Sequence, residues 1–255
     1  KTYADRDELD TPHAREALAI LVFQDLAIVP LMLLLPLLGG AAGAAEGAWL
    51  RLTVSLAAMT ALIAGGRLVV RWTLDRIVAV RDRELFTLCV GFFAIATALV
   101  ASAFGFSLAI GAFLAGLIIS ESEYGLQALA DVLPFRALFS GVFFTSIGML
   151  LDWSFALSQA PQVVAALLLF VTVKSLVAAG AVLLRGRPME TGLISGISLA
   201  QIGEFSFVLA AAGLPLGLFT GDDYQGFLTV AVLSMMATPF LVQAARPIAE
   251  RLGAT

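Results

Sequence analysis

The chain of 255 residues is 60% hydrophobic and only 13% charged, with a mean hydropathy of +0.97. These values lie far outside those of a soluble globular domain of this length. The net charge of -4 argues against a nucleic-acid partner, and the single cysteine, Cys89, excludes an intramolecular disulfide and a cysteine metal site. The composition therefore predicts an all-α polytopic membrane protein.

The first ten residues are polar, and no basic segment leads into an apolar stretch and a small-residue cleavage site, so they do not resemble a signal peptide. Because the sequence begins with Lys1, we expect either a piece of a longer polypeptide or a mature form whose upstream part is missing. Asp10, Thr11 and Pro12 predict the start of the first helix. His13 follows as a solvated end residue, with a pH-sensing role as the alternative.

About eight segments are long and apolar enough to cross ~30 Å of hydrocarbon. They cover residues 16–38, 48–70, 85–102, 106–120, 132–151, 161–184, 191–213 and 224–245. Arginine and lysine concentrate before the first segment and in every second connection thereafter, which is the distribution of cytoplasmic loops. The sequence therefore predicts a multi-pass protein with both ends cytoplasmic and no soluble domain in these residues.

Asp25 lies near the middle of the first predicted span, in the stretch FQDLAIVP. A charge in the bilayer is costly, by ~2.5 to 3.5 kcal/mol on insertion scales, so such a residue indicates function. Gln24 precedes it, and Pro30 removes a backbone donor and frees a carbonyl one turn earlier. These oxygens suit a monovalent cation, and the same carboxylate can take a proton instead. Competition at one site is the basis of antiport; the alternative is a structural partner in the bundle.

Lys174 lies in the middle of the sixth predicted span and is the expected charge partner of Asp25. A lysine in this position can change its charge state as the carboxylate binds or releases an ion, or it can form a static salt bridge between helices.

The seventh predicted span is too rich in glycine and polar residues for a lipid-facing helix. An interruption is expected at Gln201 and Gly203, because broken helices at the midplane recur in secondary transporters. Glu204 is predicted to be an ion-site residue or to satisfy orphan backbone groups. The small residues around Gly111 and Gly141 favour close packing within the bundle over a dimer seam.

Several long motifs in order resemble the second monovalent cation:proton antiporter family, particularly the Kef-type potassium efflux transporters. Besides Lys174 they are LVFQDLAIVP at 21–30, GAFLAGLIISESEY at 111–124, ADVLPFRALFSGVFFTSIGMLLD at 130–152 and SLAQIGEFSFVLA at 198–210. The resemblance implies a sodium/proton-exchanger fold of about thirteen spans, with inverted repeats and crossed, broken helices. Residues 1–255 would be the C-terminal part of that transmembrane domain, and without the upstream spans they should not transport.

The resemblance also implies a function and a site. Gln24 and Asp25 would bind the ion and the proton, and Lys174 would be the family's intramembrane lysine. The expected activity is exchange of a monovalent cation, K+ in preference to Na+, for protons across the cell inner membrane by a homodimer. No enzymatic activity and no cofactor are expected in these residues. The resemblance implies a nucleotide-binding regulatory domain further along the parent protein.

Glutathione gating is not expected, because Asp131 is retained while Leu129 and Leu133 occupy positions that are usually acidic in the glutathione-gated members. Two other transport functions stay open: a ligand-gated potassium efflux channel and a sodium-coupled solute symporter on a related fold. An intramembrane protease is disfavoured, because the only histidine lies in a loop and only one intramembrane aspartate is present.

Overall fold

The computed structural model describes Tyr3 and residues 7–38, 45–104, 106 and 108–252, and these contain helices and no strand. In chain order the helices are α1 (Pro12–Leu38), α2 (Ala45–Val80), α3 (Arg83–Ala103), α4 (Leu108–Ser120), α5 (Gly125–Leu150), α6 (Trp153–Ser158), α7 (Ala160–Leu184), α8 (Met189–Ser198), α9 (Phe205–Gly213) and α10 (Gly221–Arg251). A 3-10 turn at Leu214–Leu216 follows α9. The all-α class predicted from the sequence is confirmed.

Each predicted span coincides with a helix, and the seventh is divided between α8 and α9. Within the described residues, four helices are long and apolar enough to cross a membrane, namely α3, α5, α7 and α10. Two further helices, α1 with 27 residues and α2 with 36, exceed the ~20 residues that a span requires. The chain is therefore a polytopic membrane protein.

The helix α2 continues ten residues beyond its predicted end at residue 70 and stops at Val80. Arg81 then adopts a left-handed backbone conformation with φ of 59°. The carboxylate of Asp82 accepts hydrogen bonds from the backbone N–H groups of Glu84 (2.9 Å) and Leu85 (3.1 Å), and so caps α3. A tight turn thus separates two long helices where the sequence indicated only a charged connection.

The chain divides into two compact units: unit 1 comprises Lys1–Leu31 and Ile147–Thr255, and unit 2 comprises Met32–Ser146. Unit 2 has an apolar core of side chains from α2, α3, α4 and α5. Its members are Val70, Leu74, Phe86, Val90, Ile118, Ile119 and Ala128. Gly111 of α4 approaches α3 so closely that a Cβ atom there would lie 2.5 Å from the Cα of Ala98. The small residue at 111 therefore serves close packing within the chain.

Unit 1 contains the interrupted span together with α7 and α10. The α7 and α8 helices are in close contact at Gly196, where a Cβ atom would clash with the backbone oxygen of Ser175. On the other side of α8, Ile194 packs against Ala245 and Ala249 of α10. α8 is therefore held between two long helices, and the interruption follows directly at its carboxyl end.

Candidate ion-binding site

The seventh span is interrupted over residues 199–204, because α8 ends at Ser198 and α9 begins at Phe205. The sequence favours a helix end here, since Gly203 has a high entropic cost in a helix. The last turn of α8 tightens, with the Leu199 N–H donating to the Ser195 carbonyl at 3.1 Å and the Ala200 N–H to the Ile197 carbonyl at 3.3 Å. The carbonyl groups that follow Ile197 have no acceptor role in the helix and need hydrogen-bond donors from elsewhere.

The ammonium group of Lys174 provides one such donor. Lys174 projects from the middle of α7, and its Nζ donates a short hydrogen bond to the backbone carbonyl of Gln201. The same Nζ lies 5.8 Å from the centroid of the Phe170 ring, one helical turn earlier. The side chain is half-buried. A positive charge at the carboxyl end of α8 also interacts favourably with the helix dipole.

A second side chain supports the interruption from α10. Ser234, which is fully buried, accepts a hydrogen bond on its Oγ from the Ile202 N–H at 3.0 Å and donates to the Ala231 carbonyl at 2.8 Å. The buried backbone N–H of Ile202 is therefore satisfied although it lies outside any helix. Lys174 and Ser234 together satisfy one carbonyl and one N–H of the interruption.

The remaining residues of the interruption differ in exposure. The Oε1 atom of Gln201 is buried and has no hydrogen-bond partner among the described residues. Gly203 and Glu204 are exposed. Glu204 occupies the N-cap position of α9, but its side chain makes no capping hydrogen bond, so the predicted satisfaction of orphan backbone groups by this side chain is not seen. The Gln201 amide oxygen is thus the buried acceptor of this segment that has no partner among the described residues.

Gln24 and Asp25 lie on α1 in the same unit. Gln24 is half-buried, whereas Asp25 is exposed and its carboxylate has no hydrogen bond or ion pair with any described residue. No ion pair within 4.0 Å joins Asp25 to Lys174 in the described part of the chain. α1 approaches the interruption two turns earlier, where Ala17 packs with Ala178 of α7 and Leu199. The structure thus brings Lys174 to Gln201, and leaves Asp25 open to a ligand.

The start of α1 is attached to the loop after α7 by an ion-pair cluster that sequence reasoning missed. The carboxylate of Glu16, whose side chain is 5% exposed, accepts from Arg185 Nη1 and from Arg187 Nε, each at 2.7 Å. The two oxygens take one arginine each. The available sequence signal was an acidic residue, Glu16, at the first position of a predicted span, on the side of the membrane to which the basic loops were assigned.

His13 is buried beside this cluster, contrary to the expectation of a solvated end residue. Its Nε2 lies 3.0 Å from Thr11 Oγ1, which itself donates to the Glu8 carbonyl at 2.7 Å, so Nε2 must be the donor. Burial lowers the pKa of His13, Arg246 lowers it further, and Glu8 and Glu190 oppose the change. The backbone carbonyl of His13 accepts from Ser195 Oγ at 3.0 Å.

No group of three or more histidine, cysteine, aspartate or glutamate side chains that could hold a metal ion occurs in the described residues. A carboxylate and an amide side chain on one helix are instead oxygen ligands for a hard cation that keeps part of its water. The arrangement is an interrupted helix stabilised by a lysine, beside a helix that carries a free intramembrane carboxylate. These features are typical of secondary transporters for ions.

Comparison with known proteins gives the family. Residues 1–244 match the family described as sodium/hydrogen exchanger, transmembrane, and the chain belongs to it. The chain is 34% identical over 259 residues to K(+) efflux antiporter 1, chloroplastic, and 33% identical over 259 residues to K(+) efflux antiporter 2, chloroplastic, both of Arabidopsis thaliana. It is 36% identical over 245 residues to the putative K(+) efflux antiporter KefB of Alkalimonas amylolytica.

These alignments cover 95 to 97% of the chain but only 21%, 22% and 37% of the three relatives, respectively. The chain therefore spans about a fifth to two fifths of the length of the curated relatives it matches. The resemblance to Kef-type antiporters stated from the motifs is confirmed at the level of the family.

Proposed function

We propose that this chain is the C-terminal part of the transmembrane domain of an antiporter that exchanges a monovalent cation, K+ in preference to Na+, for protons. Membership of the sodium/hydrogen exchanger family supports exchange, and the names of the similar K(+) efflux antiporters support K+. The structural observation that carries the proposal is the hydrogen bond of Lys174 to the Gln201 carbonyl in an interrupted helix.

In this proposal Asp25 is the group that cation and proton share. Its carboxylate has no partner among the described residues, and the Gln24 amide on the same turn offers a neutral oxygen. A cation bound by the carboxylate repels a proton, and a proton on the carboxylate removes the charge that holds the cation. Because the two ligands exclude one another, each passage of the site across the membrane carries one of them, and their fluxes are coupled.

Lys174 then has a role that is distinct from direct pairing with Asp25. The ammonium group offsets the partial negative charge at the carboxyl end of α8 and occupies the Gln201 carbonyl. The carbonyls of residues 199–204 therefore do not hold the cation that Asp25 should release. Its contact with Gln201 also ties α7 to the interruption. Movement of the interruption would break this hydrogen bond, so the lysine links conformational change to the charge at the site.

The setting of the transporter is part of the same proposal. The connections rich in arginine are assigned to the cytoplasm, which places both ends of this segment inside the cell and the start of α10 outside. A homodimer in the cell inner membrane and an additional nucleotide-binding domain in the parent protein are proposed from the resemblance. No enzymatic step is involved.

The proposal is tested by ion flux in proteoliposomes that contain the full-length parent protein. Proton movement is recorded with K+, Na+ or Li+ gradients for the unmodified protein, for Asp25→Asn and for the control Glu250→Gln at the far end of α10. We expect K+-driven proton flux that Asp25→Asn abolishes and Glu250→Gln preserves, with both variants melting at the same temperature as the parent. Normal exchange by Asp25→Asn would show that this aspartate is structural, and K+ flux without proton movement would indicate a channel.

A further inference from the structure

Unit 1 contains an open cavity that the proposed exchange does not use. Its volume is about 810 Å³, and its walls come from α6, α7 and the start of α10. Small-molecule sites have volumes of roughly 300 to 1,000 Å³. Ile202 and Ser206, which lie in and just after the interruption, form part of the inner wall. An occupant of this cavity would therefore contact the segment that Lys174 and Ser234 stabilise.

Aromatic rings make up much of the wall, and contacts with neighbouring residues hold two of the rings in place. The rings belong to Phe155, Phe170, Phe219 and Phe227. The Phe227 ring meets the buried ring of Phe207 edge to face, with centroids 5.9 Å apart. The Phe219 ring lies where a Cβ of Gly213 would come within 2.7 Å of it, so the absence of a side chain at 213 creates its seat. The Phe219 and Phe227 rings of the cavity are therefore fixed by packing outside it.

The charged residues of the wall are all acidic. Asp222 and Asp223 line the cavity, together with Gln159 and Gln162, and no lysine or arginine is among the described residues that line it. The Lys174 ammonium lies 5.8 Å from the Phe170 ring centroid without lining the cavity itself. Asp223 is occupied, because it accepts from the Thr220 N–H at 3.0 Å and the Thr220 hydroxyl at 2.6 Å in a capping box. Asp222 has no hydrogen bond or ion pair with any described residue. One carboxylate is thus free to meet a positive charge.

We infer that this cavity binds a lipophilic organic ammonium ion. Aromatic faces attract a cation whose charge is spread over carbon substituents, as in a quaternary ammonium group. Much of the wall is apolar and suits the weak hydration of such an ion, whereas a bare alkali cation requires several oxygen ligands that converge on one point. The exposed Asp222 carboxylate attracts the positive charge of the ligand, and the phenylalanine rings contact its aryl or alkyl part.

Occupancy has a consequence for the interruption. A ligand against Ile202 and Ser206 favours the conformation in which the cavity exists, and disfavours any conformation that closes it. The ligand should therefore inhibit transport from the membrane side to which Asp222 is exposed. This second statement rests on the proposed exchange activity, whereas binding itself does not.

Equilibrium dialysis tests the binding on purified full-length parent protein in detergent, with radiolabelled phenyltrimethylammonium as the probe. To test whether the positive charge is needed, tert-butylbenzene, an uncharged molecule of the same shape, is added as a competitor of the bound probe. Asp222→Asn removes the opposing charge and keeps the shape. Gly226→Leu places a side chain in the cavity, since a Cβ at 226 would lie 4.0 Å from the Phe155 ring and further atoms would extend inward.

We expect saturable binding of the ammonium ion, little competition by tert-butylbenzene, and a roughly tenfold higher Kd for Asp222→Asn. Gly226→Leu should abolish binding, whereas Gly226→Ala and Glu250→Gln should retain it. Absence of binding to the parent protein would overturn the inference, as would binding that Asp222→Asn and Gly226→Leu leave unchanged. Flux assays with the ammonium ion outside then report inhibition separately, so binding without inhibition would contradict only the statement about transport.

Discussion

The two units of this chain use their buried positions differently. In unit 2 the buried residues are almost entirely apolar and the helices α2, α3 and α4 are continuous. Its polar ties include the ion pairs Arg67–Glu121 and Arg83–Asp131. In unit 1 one span is interrupted, and fully or nearly buried hydroxyl groups occur at Ser195, Ser198, Thr229 and Ser234. Polar groups in the bilayer are costly unless they are satisfied. Unit 2 is thus stabilised mainly by apolar packing, whereas unit 1 also contains buried polar groups that need partners.

The largest expected effect on stability concerns close helix contacts, of which each unit contains one at a glycine. Gly196→Ala in unit 1 and Gly111→Ala in unit 2 would force a methyl group against backbone atoms of the facing helix. Each should lower the free energy of unfolding by about 3 kcal/mol, the upper end of overpacking effects. Thermal melting of the parent protein in detergent measures this.

Gly180→Ala in α7 and Gly91→Ala in α3 are the matched controls, because a Cβ at either position meets no atom within 4 Å. They should melt at or slightly above the parent temperature, since alanine favours a helix. Equal melting of Gly196→Ala and Gly180→Ala would disprove the tight α7–α8 contact.

Glu16→Gln should have the next largest effect. The substitution leaves Arg185 and Arg187 without their common carboxylate, at a position where the glutamate side chain is 5% exposed. Because the two arginines are half-exposed, water recovers part of the loss, and we expect a decrease of about 2 kcal/mol in the free energy of unfolding. The corresponding change in unit 2, Asp131→Asn, removes a pair with only one arginine and should cost less; the reverse order would contradict this reading.

Ser234→Ala tests whether the interruption needs its support from α10. The buried Ile202 N–H would lose its acceptor, at a cost of about 1 to 2 kcal/mol. Amide hydrogen exchange at residues 199–204 should accelerate in this variant. Ser102→Ala in unit 2, whose hydroxyl donates to the Leu99 carbonyl of its own helix, should change neither melting nor exchange. If both variants behave alike, the Ser234 hydrogen bond does not stabilise the interruption.

The smallest effect is a pH dependence at His13. Because burial lowers the pKa of His13 below 6.5, the unfolded chain binds more protons than the folded chain between the two pKa values. The contribution of neutral His13 to stability is therefore complete above pH 6.5 and decreases as the pH falls below it. His13→Gln should flatten the melting temperature between pH 5 and 7 relative to the parent. An unchanged slope would exclude His13 as its source.

Much of this fold was predictable, because the physics that determines it is local. A run of about 20 apolar residues suffices to indicate a span. The positions of α3, α4 and α7 agree with the predicted spans within about two residues, and the interruption lies at the polar, glycine-containing segment from which it was inferred. The class of protein followed from the same local features and from motifs with a fixed order.

The long-range pairings were not predictable in this way. Lys174 was expected to pair with Asp25, the other obvious charge, but it contacts a backbone carbonyl, which has no signature in the sequence. Glu16 and its two arginines are about 170 positions apart in the sequence. Because the loops contain many arginines, the sequence does not show which of them pair with Glu16. The roles of Gln24, Asp25, Lys174 and Glu204 in transport therefore stay predictions.

The length of α2 sets a constraint on the membrane around it. Its 36 residues extend for about 54 Å at 1.5 Å per residue, well beyond ~30 Å of hydrocarbon. After Arg51 near the start of α2, the next arginine is Arg67, and three more follow before the helix ends or just after it. Arg76 stacks on the Trp72 ring at 3.9 Å, a pair suited to the headgroup layer. The end of α2 thus marks the depth of the bilayer surface, and a thicker or thinner membrane would require this helix to change its tilt.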